Sequence, residues 1–254
     1  MDEIKKQLEA LFEDMLLYVK SFKQKTYSGI FEDKSEKYKP LLKNIETLCH
    51  EAGEEEKEAL IEELACVIPE YACEKMQKLP KGKKERMAID YNMNMAVYVV
   101  PLLKYPGTVN CVEIAKRTVK FWNKKPVTNL RLSDSSYQEI AGGFRKSLCY
   151  ITTAVCENQN KPDDCYELEM LRNYRDTYLM QTDEGRSLVK DYYETAPGLV
   201  LIMNMQKEKD EIYDRLYRTY LTPCIHMIET GENEACKRHY MDMVNGLKKQ
   251  YFYS

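Results

Sequence analysis

Cys149, Arg172, Arg175 and Asp176 are the residues of this 254-residue chain whose types and spacing come closest to chemistry. A thiol attacks a substrate or senses an oxidant as its thiolate, and a helix N-terminus or a nearby guanidinium favours that form. Cys149 falls near the first turn of an expected helix. Cys156, two turns on, shares its face as a resolving partner, and Cys165 opens the following helix, so the spacing lets three thiols meet. Arg172, Arg175 and Asp176 stand at i, i+3 and i+4, which brings guanidinium and carboxylate side by side on a stripe of Leu171, Tyr174, Tyr178 and Leu179. No His in this segment can serve as base, so the set of acid, base and nucleophile that a catalyst needs is incomplete. The competing expectation is a buried Cys packed as a small hydrophobe.

Hydroxyls crowd the same region. Thr152, Thr153, Tyr174, Tyr178, Tyr192 and Tyr193 are candidate binding residues, since Tyr and Arg are enriched where proteins grip partners. Thirteen of the twenty tyrosines lie at or after Tyr137, and a core that uses amphipathic rings with hydroxyls to satisfy explains them equally well. No cofactor is expected from these residues. A zinc site is an alternative at Cys224, His226, Cys236 and His239, ligand types that zinc prefers. Of these, only Cys236 and His239 are well spaced, because Cys224 and His226 on one helix point about 200° apart. Asp90, Asn92 and Asn94 imitate the start of a calcium loop. The imitation fails where an EF-hand needs Gly and Glu, for Met95 and Pro101 stand there. Asp90 and Asn94 are then expected to hydrogen-bond a neighbouring helix or to face a binding surface.

These side chains need helices to place them. Ile4, Leu8, Leu11, Met15 and Phe22 form the stripe of a core-facing helix running to about residue 25. Ser35 is positioned to cap a second helix that Gly53 ends, a third follows until Pro69 bends or stops it, and residues 83–105 read as a fourth. Thr108 is placed to cap the next. Ser136 and Glu139 have capping-box spacing. After the Gly142-Gly143 break, helices are expected at 148–156, 163–181 and 183–195, then after Pro197, Pro223 and Asn233. No window alternates as a sheet strand must; Asn129-Leu130-Arg131-Leu132 is the nearest and is too short. The fold class is all-α, an array or bundle of roughly ten to twelve helices, divided into an N-terminal region 1–135 and a C-terminal module 136–254.

The segment Cys149-Tyr-Ile-Thr-Thr-Ala, followed by Leu171-Arg-Asn-Tyr-Arg-Asp-Thr-Tyr-Leu and by Tyr192-Tyr193 before Ala196-Pro197, resembles the bacterial CFI-box domain. The resemblance covers residues 144–200. Tyr150 replaces the Phe of that pattern and Thr152 its usual Ala, and the run on through Tyr220–Cys224 and Cys236–Tyr240 resembles a longer form of the family found in Gram-positive gut anaerobes. What the resemblance implies is a small helical module; it supplies no mechanism.

Composition limits the remaining classes. At 44% hydrophobic and 31% charged, with a net charge of −3, the chain is too apolar to be a disordered tail and too charged for the membrane interior. Its longest apolar run, Ala96 to Leu103, falls far short of the roughly twenty residues a span requires. No leader pattern is seen and nine cysteines make an odd number, so reduced thiols in a cytoplasm are expected. Residues 81–125 are strongly basic, with Lys81, Lys83, Lys84 and Arg86 in one cluster and Lys116, Arg117, Lys120, Lys124 and Lys125 in another. They are candidates for phosphate contacts with a nucleic acid, or for pairing with acidic neighbours. The leading expectation is an interaction or ligand-binding module, with a protein or small molecule as partner. Thiol chemistry at Cys149 comes second and nucleic-acid binding third.

Overall fold

The computed structural model describes residues 1–124, 127–128, 130–146 and 149–252. Among them every regular element is helical, with eleven continuous rods and no strand. Lys125, Asn129 and Leu148 lie outside the described residues. The chain divides into two compact units, Met1–Gly142 and Gly143–Ser254. The division falls inside a helix, which Gly142 and Gly143 do not break.

The first unit comprises α1 (Asp2–Leu16), α2 (Gln24–Glu51), α3 (Glu54–Gln77), α4 (Lys81–Asn94), α5 (Val100–Lys104), α6 (Val109–Lys124) and the start of α7 (Tyr137–Lys146). Leu8, Leu11, Phe12 and Met15 bury the stripe of α1. Phe12 is the hub: the rings of Tyr91, Tyr71 and Trp122 surround it at 5.0, 6.2 and 6.4 Å. The most extensive helix pairing here is α3 against α6. Several expected boundaries move. The first helix stops at Leu16, and the chain turns through Val19–Ser21 so that Val19 and Phe22 can enter the core. Ser35 lies inside α2 and caps nothing; its hydroxyl donates to the Glu32 carbonyl at 2.8 Å. Pro69 neither stops nor ends α3, which runs on to Gln77, just as α2 runs through Pro40. A proline inside a helix costs about 3 kcal/mol. Buried side chains on both sides of each proline, such as Tyr38, Leu41 and Leu42 or Ile68, Ala72 and Met76, outweigh that cost. Ser136 and Glu139 do form a capping box at the start of α7, with the Ser136 amide donating to Glu139 at 2.7 Å and the Glu139 amide to Ser136 at 3.3 Å. These bonds hold the Glu139 carboxyl below its ordinary range.

Between α4 and α5 the rod makes a π turn at Met95–Val99, and sequence explains it. Pro101 has no N–H to give the Val97 carbonyl four residues back. The carbonyl is instead met by the Tyr27 hydroxyl, which donates to it at 2.8 Å from α2.

The second unit holds α8 (Tyr150–Asn158), α9 (Tyr166–Thr177), α10 (Asp183–Met205), α11 (Lys209–Leu216), α12 (Thr222–Glu229) and α13 (Asn233–Tyr251), with a short 3-10 turn, Leu179–Gln181, before α10. Two expected helices around Pro197 are one, since α10 passes through it with Ala196, Gly198, Leu199 and Ile202 buried. The π turn recurs at Tyr217–Leu221, between α11 and α12. Pro223 leaves the Thr219 carbonyl without its helical donor, and His239 Nε2 lies 2.9 Å from it. Gly185, at the start of α10, is needed for a different reason. A Cβ there would run into the Leu179 carbonyl, so the tight return from α9 requires a residue with no side chain.

Candidate functional site

The second unit encloses a cavity of about 100 Å³ among the N-terminus of α8 and the facing sides of α9, α10 and α13. Cys149 and Thr152 reach it from α8, Arg175 from α9, Tyr192 and Tyr193 from α10, and Tyr240 and Lys248 from α13. Leu171, Leu179, Leu188, Val189, Met241 and Val244 make most of its wall apolar.

Cys149 occupies the N-cap position of α8, where Ser, Thr or Asp would ordinarily accept from the first free amides, and it makes no side-chain cap. The cap comes from elsewhere: the Ile151 amide donates to the Tyr192 hydroxyl at 2.9 Å. Tyr192 and Tyr240 pack with ring centroids 5.9 Å apart, and the Tyr240 hydroxyl lies 3.2 Å from Thr152 Oγ1. Burial raises both phenols well above their ordinary value. They are nonetheless partly accessible, because the cavity reaches them.

Arg175 brings the charge. Its Nη1 lies 3.8 Å from Cys149 Sγ and donates to the Tyr193 hydroxyl at 3.0 Å, while Nε and Nη2 clamp Asp176 at 2.6 and 2.7 Å. The clamp keeps Asp176 below its ordinary pKa. Arg172, one turn before Asp176, does not share that carboxylate. It grips the loop before α9 instead, at the Asp163 carbonyl (2.7 Å) and carboxylate (2.8 Å). For Cys149 itself, burial raises the thiol pKa, and the opposing pull of Arg175 and Arg172 does not overcome it. A buried sulfur loses more from desolvation of the thiolate than two guanidinium groups already engaged with carboxylates return.

The three thiols of the sequence do not converge. Cys156 hydrogen-bonds with Cys165, and burial with that contact pushes it up to about 12, whereas Cys149 faces Arg175. Nor do the four zinc candidates. Cys224 and Cys236 are fully buried and hydrogen-bonded to each other, which holds Cys224 as a thiol; His226 is exposed, and His239 completes the π turn. Among the described residues no group of three or more His, Cys, Asp or Glu could hold a metal ion.

The other binding candidates scatter. Tyr174 lines the cavity and donates to the Asn233 carbonyl at 2.7 Å; Tyr178 stacks on it at 5.3 Å but donates outward to Glu234 at 2.6 Å. Thr153 is half-buried on α8, away from the cavity lining. In the first unit Asn94 is fully buried and donates to the Phe12 carbonyl at 2.8 Å, so it ties α4 to α1 rather than facing a surface. Asn92 is a second strut: its Oδ1 accepts from Trp122 Nε1 and from the Thr128 hydroxyl, each at 2.7 Å. Burial raises the pKa of Asp90 beside them. In the basic segment, Arg117 is taken up by Glu58, Glu62 and Glu113 at 2.7 to 3.1 Å.

Sequence reasoning missed the α13 wall. Lys237, Tyr240, Met241, Val244 and Lys248 fall at i, i+3, i+4, i+7 and i+11, a helical stripe with a lysine at each end. The stripe is legible; that it faces a cavity rather than a filled core is not. No family model, no curated protein and no solved structure matches the chain. No helix of the described residues is long and apolar enough to cross a membrane.

Proposed function

We propose that the second unit is a binding module whose cavity receives a small molecule or a compact side chain with an apolar body. The observation that carries this is the cavity itself, with apolar walls and a few convergent polar groups at Cys149, Arg175, Tyr193 and Tyr240, the usual make-up of ligand pockets. An engineered apolar cavity of about 150 Å³ holds benzene, so this one suits a body of about that size projecting from the mouth. The resemblance to the CFI-box domain supports treating residues 144–200 as the heart of this module. The test is saturation-transfer NMR with benzyl alcohol and 3-methylbutanol on the intact chain and on Val244→Phe, which fills the cavity. Transfer in the parent and its loss in the filled variant support the reading; equal transfer in both overturns it.

Thiol chemistry at Cys149 is the second reading, favoured by the 3.8 Å approach of Arg175 and opposed by the burial that raises the thiol.

A further inference from the structure

The cavity has an electrostatic bias that its apolar walls do not explain. Three cations line it, Arg175, Lys237 and Lys248, with side chains only 13%, 14% and 11% exposed. Their carboxylate partners are mostly outside: Asp176, Glu184, Glu234 and Asp191 are 57%, 69%, 58% and 60% exposed, and only Asp191 touches the cavity. Of the four charged residues that line the cavity three are cationic, and one of their carboxylate partners, Asp191, lines it with them.

Lys248 is the most telling of the three. The residue is 9% exposed overall, yet its ammonium, which has three N–H donors, has one hydrogen-bond partner among the described residues, Asp191. A buried cation is stabilised only when its donors are satisfied. Asn245, three residues before it on α13, also lines the cavity and has an amide donor to offer. Val244, Met241 and Tyr240 line the same cavity from the same helix.

On this arrangement, and resting on the binding reading above, we infer that the ligand is a small amphipathic carboxylate: its anionic head lies on Lys248 and Asn245, and its aryl or short branched aliphatic body enters the cavity toward Tyr240 and Tyr192. Asp191, exposed for most of its surface, swings into solvent as the ligand head takes its place. A long unbranched acyl chain exceeds the enclosed volume.

The experiment compares isosteric acids and alcohols on the intact chain: phenylacetate with 2-phenylethanol, and 3-methylbutanoate with 3-methylbutanol, with affinities from NMR titration at pH 7. The acid of each pair is expected to bind at least about tenfold more tightly, the worth of one charge-assisted hydrogen bond. In Lys248→Gln the acid should fall to the level of the alcohol while alcohol binding persists, which also shows that the cavity is still formed. In Asp191→Asn, where the competing carboxylate is gone, the acid should gain severalfold and the alcohol should not change. This second variant decides the question if Lys248→Gln fails to fold. Alcohols that bind as well as the acids, or an acid preference that survives Lys248→Gln or is unmoved by Asp191→Asn, overturn the inference and leave the binding module standing. Silence from all four probes overturns both.

Discussion

At the scale of single residues, desolvation decides more than the nearest charge. Cys149 has a guanidinium at 3.8 Å and is still driven toward the thiol by burial. Labelling by iodoacetamide, followed at the Cys149 peptide, should therefore rise with pH through a midpoint above the free-thiol value of about 8.5, and Arg175→Gln should move the midpoint higher. A midpoint below 8 would sink this account and restore the nucleophile. Asp14 shows the opposite balance. Burial would raise its pKa, but hydrogen bonds from Lys37 (2.7 Å), Lys34 (3.1 Å) and Tyr38 (2.9 Å) bring it below the usual value. A carboxylate whose folded pKa is depressed contributes stability that is present above its unfolded pKa of about 3.9 and is lost as pH falls through the folded one. Asp14→Asn should thus cost on the order of 1–3 kcal/mol in urea denaturation at pH 7, and less at pH 3, below the unfolded pKa, where the parent has begun to lose the same contribution. An undiminished difference at pH 3 would show that packing, not charge, is what the substitution removes.

At the scale of elements, the two π turns have one cause. Each precedes a proline, and each meets the carbonyl the proline leaves behind with a side chain from a distant helix: Tyr27 for Val97, His239 for Thr219. The sequence reads one helix straight through Pro101 but starts a new one after Pro223; both rods continue, and in each a partner far along the chain meets the freed carbonyl. Tyr27→Phe removes only the hydroxyl and strands a buried acceptor, so a loss of about 1–3 kcal/mol is expected. In Pro101→Ala the missing N–H is restored, and the same Tyr27 substitution should then cost clearly less. Equal costs in the two backgrounds, measured by chemical denaturation, would break the proposed link between the proline and the tyrosine.

At the scale of the whole molecule, each unit has its own core and its own reporter. The one tryptophan, Trp122, is buried beside Phe12 in the first unit, so its fluorescence follows that unit. Gly185→Ala forces a side chain against the Leu179 carbonyl in the second unit, and overpacking of this kind costs about 1–3 kcal/mol or more. Heating or urea should bring the loss of far-UV helix signal forward in this variant while the tryptophan transition stays in place. Coincident shifts in both signals would mean that the chain unfolds as one body.

The stripes Leu8, Leu11, Phe12 and Met15 in α1 and Leu41, Leu42 and Ile45 in α2 announce an all-helical fold, and the Ser136–Glu139 box announces the start of α7, because helix period and capping are local and the sequence writes them directly. The pairing of Cys149 with an arginine was also within reach of spacing, though not which arginine. What only the tertiary structure decided is everything that depends on burial and on distant partners. Asn94 became a strut and not a surface, the histidine and cysteines of α12 and α13 parted company, and a stripe on α13 became the wall of a cavity. Desolvation and hydrogen-bond satisfaction depend on what surrounds an atom in three dimensions, and local sequence spacing does not specify those surroundings.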